Sequence, residues 1–408
     1  MSEWKEYKLG DLISIKGGFS YKGEYIGTGD KFLLGMGCVS YSKTFLQSGA
    51  RPYSGDCSDR FYAKPFDIVL ATRQQSDNLP ILGLPAIIPQ SFWGEKVIVG
   101  TNLYKVDNYS EVDNKYLYWL MRSPNYINYI HSCSKGSTVK MITKDAVESF
   151  VFMCPPKEER DFISGLLWQI EDKIDLLNRQ NQTLESMAET LFRHYFIDNA
   201  QPEWEEKTLG DFILVKHGFA FKGEYISSET TNQILITPGN FKIGGGFKSD
   251  KFKYYSDNNY SEEYLLNTDD LIVTMTDLSV NGDTLGYGAL VPVISLNEKY
   301  LHNQRIGKVV FKQQIGKYFI YYLMKTEDYQ WFILSGASGT SIRHTSPSSI
   351  CSYSFKLPEQ IKINEFERLA SSIQEKIKYN QTQINTLSNL RNTLLPKLMN
   401  GEVYMEIT

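Results

Sequence analysis

The chain says the same thing twice. "EWKEYKLGDLISIKGGFSYKGEYI" from Glu3 lies over "EWEEKTLGDFILVKHGFAFKGEYI" from Glu203, an offset of 200 positions. After a divergent stretch the offset becomes 203 and stays there. "FDIVLAT" (66–72) lies over "DDLIVTM" (269–275), "LGLPAIIP" (82–89) over "LGYGALVP" (285–292), and "YWLM" (118–121) over "YYLM" (321–324). "KGSTVK" (135–140) then lies over "SGTSIR" (338–343), and "IEDKI" (170–174) over "IQEKI" (373–377). An ordered series at constant offset is the duplication of a unit of about 200 residues, far longer than a solenoid period. Whatever one copy folds into, the other must fold into as well. A chain of 408 residues is also too long for one ordinary core.

Each copy reads as a globular part followed by a helical part. Runs such as "DIVLAT", "ILGLPAIIP" and "KVIVG" are rich in Val and Ile and punctuated by Gly and Pro, which are strand signals. "NKYLYWLMRSPNYINYIHSC" reads as one or two helices late in the copy. Mixed elements without strict βαβ alternation predict an α+β fold. The layout expected is a globular domain at 1–155, a helix at 156–199, a second globular domain at 200–357 and a second helix at 358–408.

The helices carry the sharpest pattern. The first opens with Pro155, Pro156 and Glu158, the chemistry of a helix start. From there Ile163, Leu167, Ile170, Ile174, Leu177, Asn181, Leu184, Ala188, Leu191 and Tyr195 keep a 4-3 spacing. The second gives Phe366, Ala370, Ile373, Ile377, Asn380, Ile384, Leu387, Arg391, Leu394 and Leu398. A 3.5-residue apolar period over four heptads is a coiled-coil seam. Each stripe is about 48 Å long at about 1.5 Å per residue. Two such helices in one duplicated chain predict an antiparallel coiled coil with pseudo-twofold symmetry, in which Asn181 and Asn380 fix the register. Arg391 interrupts the apolar stripe and leaves the packing at that end open.

Several classes of chemistry have no residues to carry them. The sequence contains no GxxxxGK[ST], no GxGxxG after a strand, no GxSxG and no HExxH. The five histidines are scattered, and the five cysteines show neither CxxC pairing nor metal spacing, which predicts reduced thiols, no metal site and a cytoplasmic protein. "MCPPK" (153–157) resembles the Asn/Asp-Pro-Pro-aromatic motif of amino-methyltransferases. Cys154 and Lys157 stand where the base-contacting side chains belong, so it reads as a hinge. "PEWEEK" (202–207) lacks an acidic partner at nuclease spacing. No apolar run approaches the ~20 residues of a membrane helix, and the N-terminus has no signal pattern. The net charge of −4 does not advertise nucleic-acid binding, though a local basic groove can coexist with acidic surface.

What remains is a loop-borne polar set at matching places. "ATRQQSDN" (71–78) and "TMTDLSVNGDT" (274–284) follow aligned strands yet diverge completely. Arg73, Gln74, Gln75, Thr276, Asp277, Asn303 and Arg305 are candidate base contacts, since these residue types suit base edges. Candidate phosphate contacts are Lys16, Lys22, Lys135, Ser137, Lys140, Lys216, Lys222, Ser338, Thr340 and Arg343. The near-identical "GGFSYKGEYI" and "HGFAFKGEYI" read as frame, because a reader of sequence should vary where it touches bases. The residues alone leave a second reading open: a coiled-coil scaffold with no DNA role.

At this point the chain resembles the specificity (S) subunits of type I restriction–modification systems. "IEDKIDLLNRQNQTLESMAETLFRHYF" resembles that family's central conserved region and "LRNTLLPKLMNGEV" (390–403) its C-terminal one. "EWKEYKLGD" and "EWEEKTLGD" resemble the openings of its two target-recognition domains. The resemblance implies a non-catalytic subunit in which each domain reads one half of a bipartite, asymmetric site in double-stranded DNA. It implies that the paired helices set the gap and dock two methyltransferase subunits and, through them, restriction subunits. S-adenosylmethionine and ATP with Mg²⁺ are then expected on those partners and no cofactor on this chain. Domains on a rigid spacer of that length suit half-sites about one DNA turn apart, about 34–36 Å. The exposed helix flank, with Phe192, Tyr195 and Trp168, is the expected partner surface, with assignment of Trp168 to the seam as the alternative.

Overall fold

The computed structural model describes residues 4–403 except 75–80, 137–138, 250–251, 278, 280, 296 and 340–341. The chain divides into two compact units, Met1–Ile174 with Thr386–Thr408, and Asp175–Asn385. Each long helix therefore contributes a segment to each unit.

The two units repeat one topology. In the first, an antiparallel sheet runs Ile13–Gly17, Leu103–Asn108, Ile68–Ala71, Pro85–Ile87. In the second the order is Ile213–His217, Ile306–Phe311, Leu271–Thr274, Gly288–Leu290. The strands Ile68–Ala71 and Leu271–Thr274 are buried at every position, which explains their unbroken apolar runs. A further sheet in each unit is built on one parallel pair, Ile26–Leu34 with Lys96–Val99 and Gln233–Ile236 with Lys299–His302. A short ladder joins each domain's opening strand to the strand before its long helix: Lys5–Lys8 with Val151–Cys154, and Glu206–Thr208 with Ser354–Lys356.

The repeated "GGF/HGF" words are frame, and the reason is steric. A Cβ on Gly18 would come within 1.9 Å of the Gly100 carbonyl oxygen, and one on Gly218 within 2.2 Å of the His302 carbonyl oxygen. Only glycine permits this approach, after which Phe19 bridges Gly100 and Phe219 bridges Asn303.

The long helices span Lys157–Arg193, followed by a π-helical turn at His194–Asp198, and Gln360–Met399. In the first unit Ile163 and Leu167 share a core with Leu395, Leu398 and Met399. In the second, Ala188, Phe192 and Phe196 share one with Ile363, Phe366 and Ala370. Within each unit the pairing is antiparallel: Glu171 meets Arg391 in the first, and Asn181 meets Asn380 in the second.

Burial along the seam follows the sequence pattern from the start of each helix and departs from it towards the C-terminal ends. Ile163, Leu167, Ile170, Ile174, Leu177, Ala188 and Ile384 are buried; Leu184, Ile373, Ile377 and Leu387 are half-buried. Towards the C-terminal end of each helix, however, Phe192, Phe196 and Leu395 are buried, one place beyond the half-buried Leu191, Tyr195 and Leu394, while Leu398 stays buried at 1%. A straight helix of 3.6 residues per turn drifts about 20° per heptad from a 3.5 repeat, which over four heptads amounts to nearly one residue.

The expected partner surface is corrected at Phe192. Phe192 is 3% exposed in the second unit's core, and Tyr195 is half-buried against the same core. Trp168 packs edge-on against Tyr118 and Trp119, with ring centroids 5.6 and 6.0 Å apart. Phe192 is thus internal packing, and Trp168 and Tyr195 are half-buried against aromatics of their own units.

A buried polar cluster ties the second unit together. Glu185 accepts from Tyr321 at 2.8 Å, Lys325 at 2.7 Å and Gln374 at 2.9 Å. Burial pushes the Glu185 carboxyl up, but Lys325 and these hydrogen bonds outweigh it and hold it below the ordinary carboxylate range.

Candidate nucleic-acid interface

The two candidate loops of each copy, about 65 positions apart in sequence, meet in space. In the first unit Arg73–Gln74 pairs with Lys140–Met141, placing Gln74 opposite Lys140 and Arg73 opposite Met141. In the second, Thr276–Asp277 pairs with Arg343–His344, placing Thr276 opposite His344 and Asp277 opposite Arg343. Each ladder continues from the buried central strand after one linking residue. That residue is pinned: Thr72 takes the Ile142 amide at 3.2 Å, and Met275 takes the Thr345 amide at 3.1 Å.

The second strand of each ladder is one arm of a tight hairpin. Lys135 exchanges both backbone hydrogen bonds with Met141, and Ser338 does so with His344. Gly136 and Gly339 make the turns possible, at φ of 104° and 91°. A Cβ there would lie 2.2 Å from the Val139 carbonyl oxygen or 2.0 Å from that of Ile342. The Gly shared by "KGSTVK" and "SGTSIR" is thus a demand of the turn.

Side-chain placement separates the candidate base contacts. Arg73 and Asn303 are half-buried and Arg305 is exposed, while Gln75 lies outside the described residues. Asn303 Oδ1 accepts the Arg305 amide at 2.9 Å and shapes its own loop. Three candidates turn inward. Gln74 is 4% exposed, and its Oε1 accepts the Leu82 amide at 3.4 Å. Asp277 is 5% exposed, and its carboxylate takes the Ser279 amide at 2.7 Å, the Thr284 hydroxyl at 2.8 Å and the Thr284 amide. Burial raises the Asp277 carboxyl, but these hydrogen bonds outweigh it and hold it below the ordinary range. Thr276, also 5% exposed, has its hydroxyl 3.1 Å from His344 Nδ1. An acceptor just after a strand finds unpaired amides of the following loop within reach, so Gln74 and Asp277 organise loops.

The candidate phosphate contacts are mostly at the surface. Lys16 is exposed and ion-paired with Asp107, which also holds Lys105 at 3.3 Å. Lys22 and Lys222 are exposed, each 4.0 Å from the carboxylate two residues on, Glu24 and Glu224. Lys135, Lys216 and Ser338 are exposed; Lys140 and Arg343 are half-buried in the ladders. Ser137 and Thr340 lie outside the described residues. Sequence reasoning passed over Met141 and His344, the exposed members of the two ladders. The signal was there, in two unlike side chains at matched positions 203 apart.

The described residues contain no group of three or more His, Cys, Asp or Glu able to hold a metal. Nor is any helix of the described residues long and apolar enough to cross a membrane.

Comparison with known proteins settles the family. The family model for the type I restriction modification DNA specificity domain matches residues 1–186 and again 201–389. The chain belongs to this family. It is 25% identical over 447 aligned positions to the type I restriction enzyme MjaIX specificity subunit of Methanocaldococcus jannaschii, covering 99% of this chain and 94% of that one. It is 23% identical to the HindI specificity subunit of Haemophilus influenzae, covering 99% and 100%. Among solved structures, the type I restriction–modification S subunit from M. genitalium superposes with a TM-score of 0.55 at 15% identity, covering 98% of this chain and 96% of that one. The two matches of the specificity-domain model fall on the two copies of the repeat. They make each ladder a feature of one specificity domain.

Proposed function

We propose that this chain is the addressing subunit of a type I restriction–modification complex. Each specificity domain reads one half of a bipartite sequence in double-stranded DNA, and the long helices fix the gap between the halves. The chain is non-catalytic in this reading. Two methyltransferase subunits bring S-adenosylmethionine to adenines in the two halves, and restriction subunits bring ATP and Mg²⁺.

The observation that carries the reading is the pair of ladders. One scaffold is built twice, with the same turn glycines and the same pinned link, yet different side chains stand at matched positions: Arg73 and Met141 in one copy, Thr276 and His344 in the other. A scaffold protein has no reason to keep the frame of the ladder while changing the side chains it presents, whereas a reader of two different half-sites must. One well-formed contact to a base edge supplies about 1–3 kcal/mol of discrimination. The surface lysines Lys16, Lys22, Lys216 and Lys222 supply sequence-independent attraction to phosphate, which weakens with salt.

The test is to express the chain with its methyltransferase partner and map methylated adenines across a genome. A single bipartite, asymmetric consensus with a fixed gap is expected. Absence of any discrete consensus, with an active methyltransferase, would sink the proposal.

A further inference from the structure

We infer that His344 is a base-edge contact of the second specificity domain and that Thr276 is its positioning residue. This rests on the DNA reading above and deepens it.

His344 is exposed, yet its backbone is fixed from both sides. It exchanges hydrogen bonds with Ser338, His344 N to Ser338 O at 2.9 Å and Ser338 N to His344 O at 3.0 Å, and it stands opposite Thr276 across the ladder. Its ring is fixed as well, because Nδ1 lies 3.1 Å from Thr276 Oγ1. Thr276 is buried and cannot itself reach a ligand; its hydroxyl is spent on the imidazole. An exposed side chain loses about 1 kcal/mol of rotamer entropy when it is ordered, so an ordered one is prepared to bind. With Nδ1 engaged, Nε2 is the ring's remaining polar atom. When the hydroxyl donates to Nδ1, Nε2 carries the proton and can donate to a purine N7, guanine O6 or thymine O4. When the hydroxyl accepts, Nε2 presents a lone pair to the amino group of adenine or cytosine.

The first copy supports the assignment by contrast. Its matched pair is Arg73 and Met141, with Met141 41% exposed. A long cation and an apolar group there, against an oriented imidazole here, are different readers at one register position. The other pair of the second ladder includes Asp277, whose carboxylate is committed to its own loop.

The decisive experiment maps methylation by the full chain with its methyltransferase, comparing the natural protein with His344→Ala, His344→Gln, Thr276→Val and Thr276→Ser. His344→Ala and Thr276→Val should lose discrimination, about tenfold, at the same single base pair of one half-site. The other half-site and the gap should stay unchanged, and Thr276→Ser should restore the lost position. An unchanged consensus in His344→Ala, whether at full activity or uniformly weakened, would overturn the inference, since a phosphate contact or a purely structural role behaves that way. Failure of the natural chain to yield any consensus strikes instead at the parent reading.

Discussion

Arg391 Nη1 donates to Glu171 Oε2 at 2.5 Å, and the two side chains are only 9% and 10% exposed. The arginine that interrupts the apolar stripe of the second helix is therefore answered by an acid on the first. Removing one member leaves a buried charge without its partner. Glu171→Ala or Arg391→Ala should cost about 3–5 kcal/mol, whereas the double change to Leu at both positions should be near neutral or stabilising. Denaturant titration of the three variants checks this; equal losses in the single and double variants would refute it.

Asn181 Oδ1 accepts from Asn380 Nδ2 at 2.8 Å, and Asn380 is fully buried. Among the described residues Asn380 Oδ1 has no hydrogen-bond partner. Leu at both positions should raise stability by about 1–2 kcal/mol while loosening the register. Thermal melts read the first effect. A broadened gap in the methylated consensus reads the second.

His302 is 2% exposed, and its Nε2 lies 2.8 Å from the Ile306 carbonyl oxygen, closing the loop that carries Asn303 and Arg305. Burial, the largest cause, pushes its pKa down from 6.5 to about 4. Between those values the unfolded chain binds a proton that the folded one refuses. Stability is thus complete above about pH 6.5 and is lost as pH falls towards 4, by roughly 3 kcal/mol at most. Melting temperatures across pH 7.5 to 4.5 should fall less steeply in His302→Gln than in the natural chain. Parallel slopes would refute the assignment.

The spacer reading makes its own prediction. One heptad inserted into each long helix, beside Asn181 and beside Asn380, should lengthen the gap in the recognised sequence and leave both half-sites unaltered. Methylated-adenine mapping decides it, and an unchanged gap would mean that the helices do not set the spacing.

Phosphate and base contacts should separate cleanly. Lys16→Ala and Lys216→Ala should weaken binding of every duplex alike and each reduce the salt slope by about 1. Arg73→Ala should relax one position of one half-site by about 1–3 kcal/mol. Competition binding at several salt concentrations distinguishes the two behaviours.

Duplication, the strand and helix content and the existence of a heptad seam were legible in the sequence by itself. They depend on local spacing: apolar period, turn glycines and ordered repetition are read directly along the chain. Tertiary structure alone decided which side chains are available. Gln74, Thr276 and Asp277 have the right chemistry for bases, yet they are turned inward because unpaired loop amides or a neighbouring ring lie closer. Met141 and His344 drew no notice until a ladder about 65 residues away in sequence placed them beside Arg73 and Thr276. Arg391 looked like a fault in its stripe until Glu171 stood opposite. The physical reason is the same in each case. A residue's type is a property of the chain, but whether its polar atoms are already satisfied depends on partners that only folding brings within 3 Å or so.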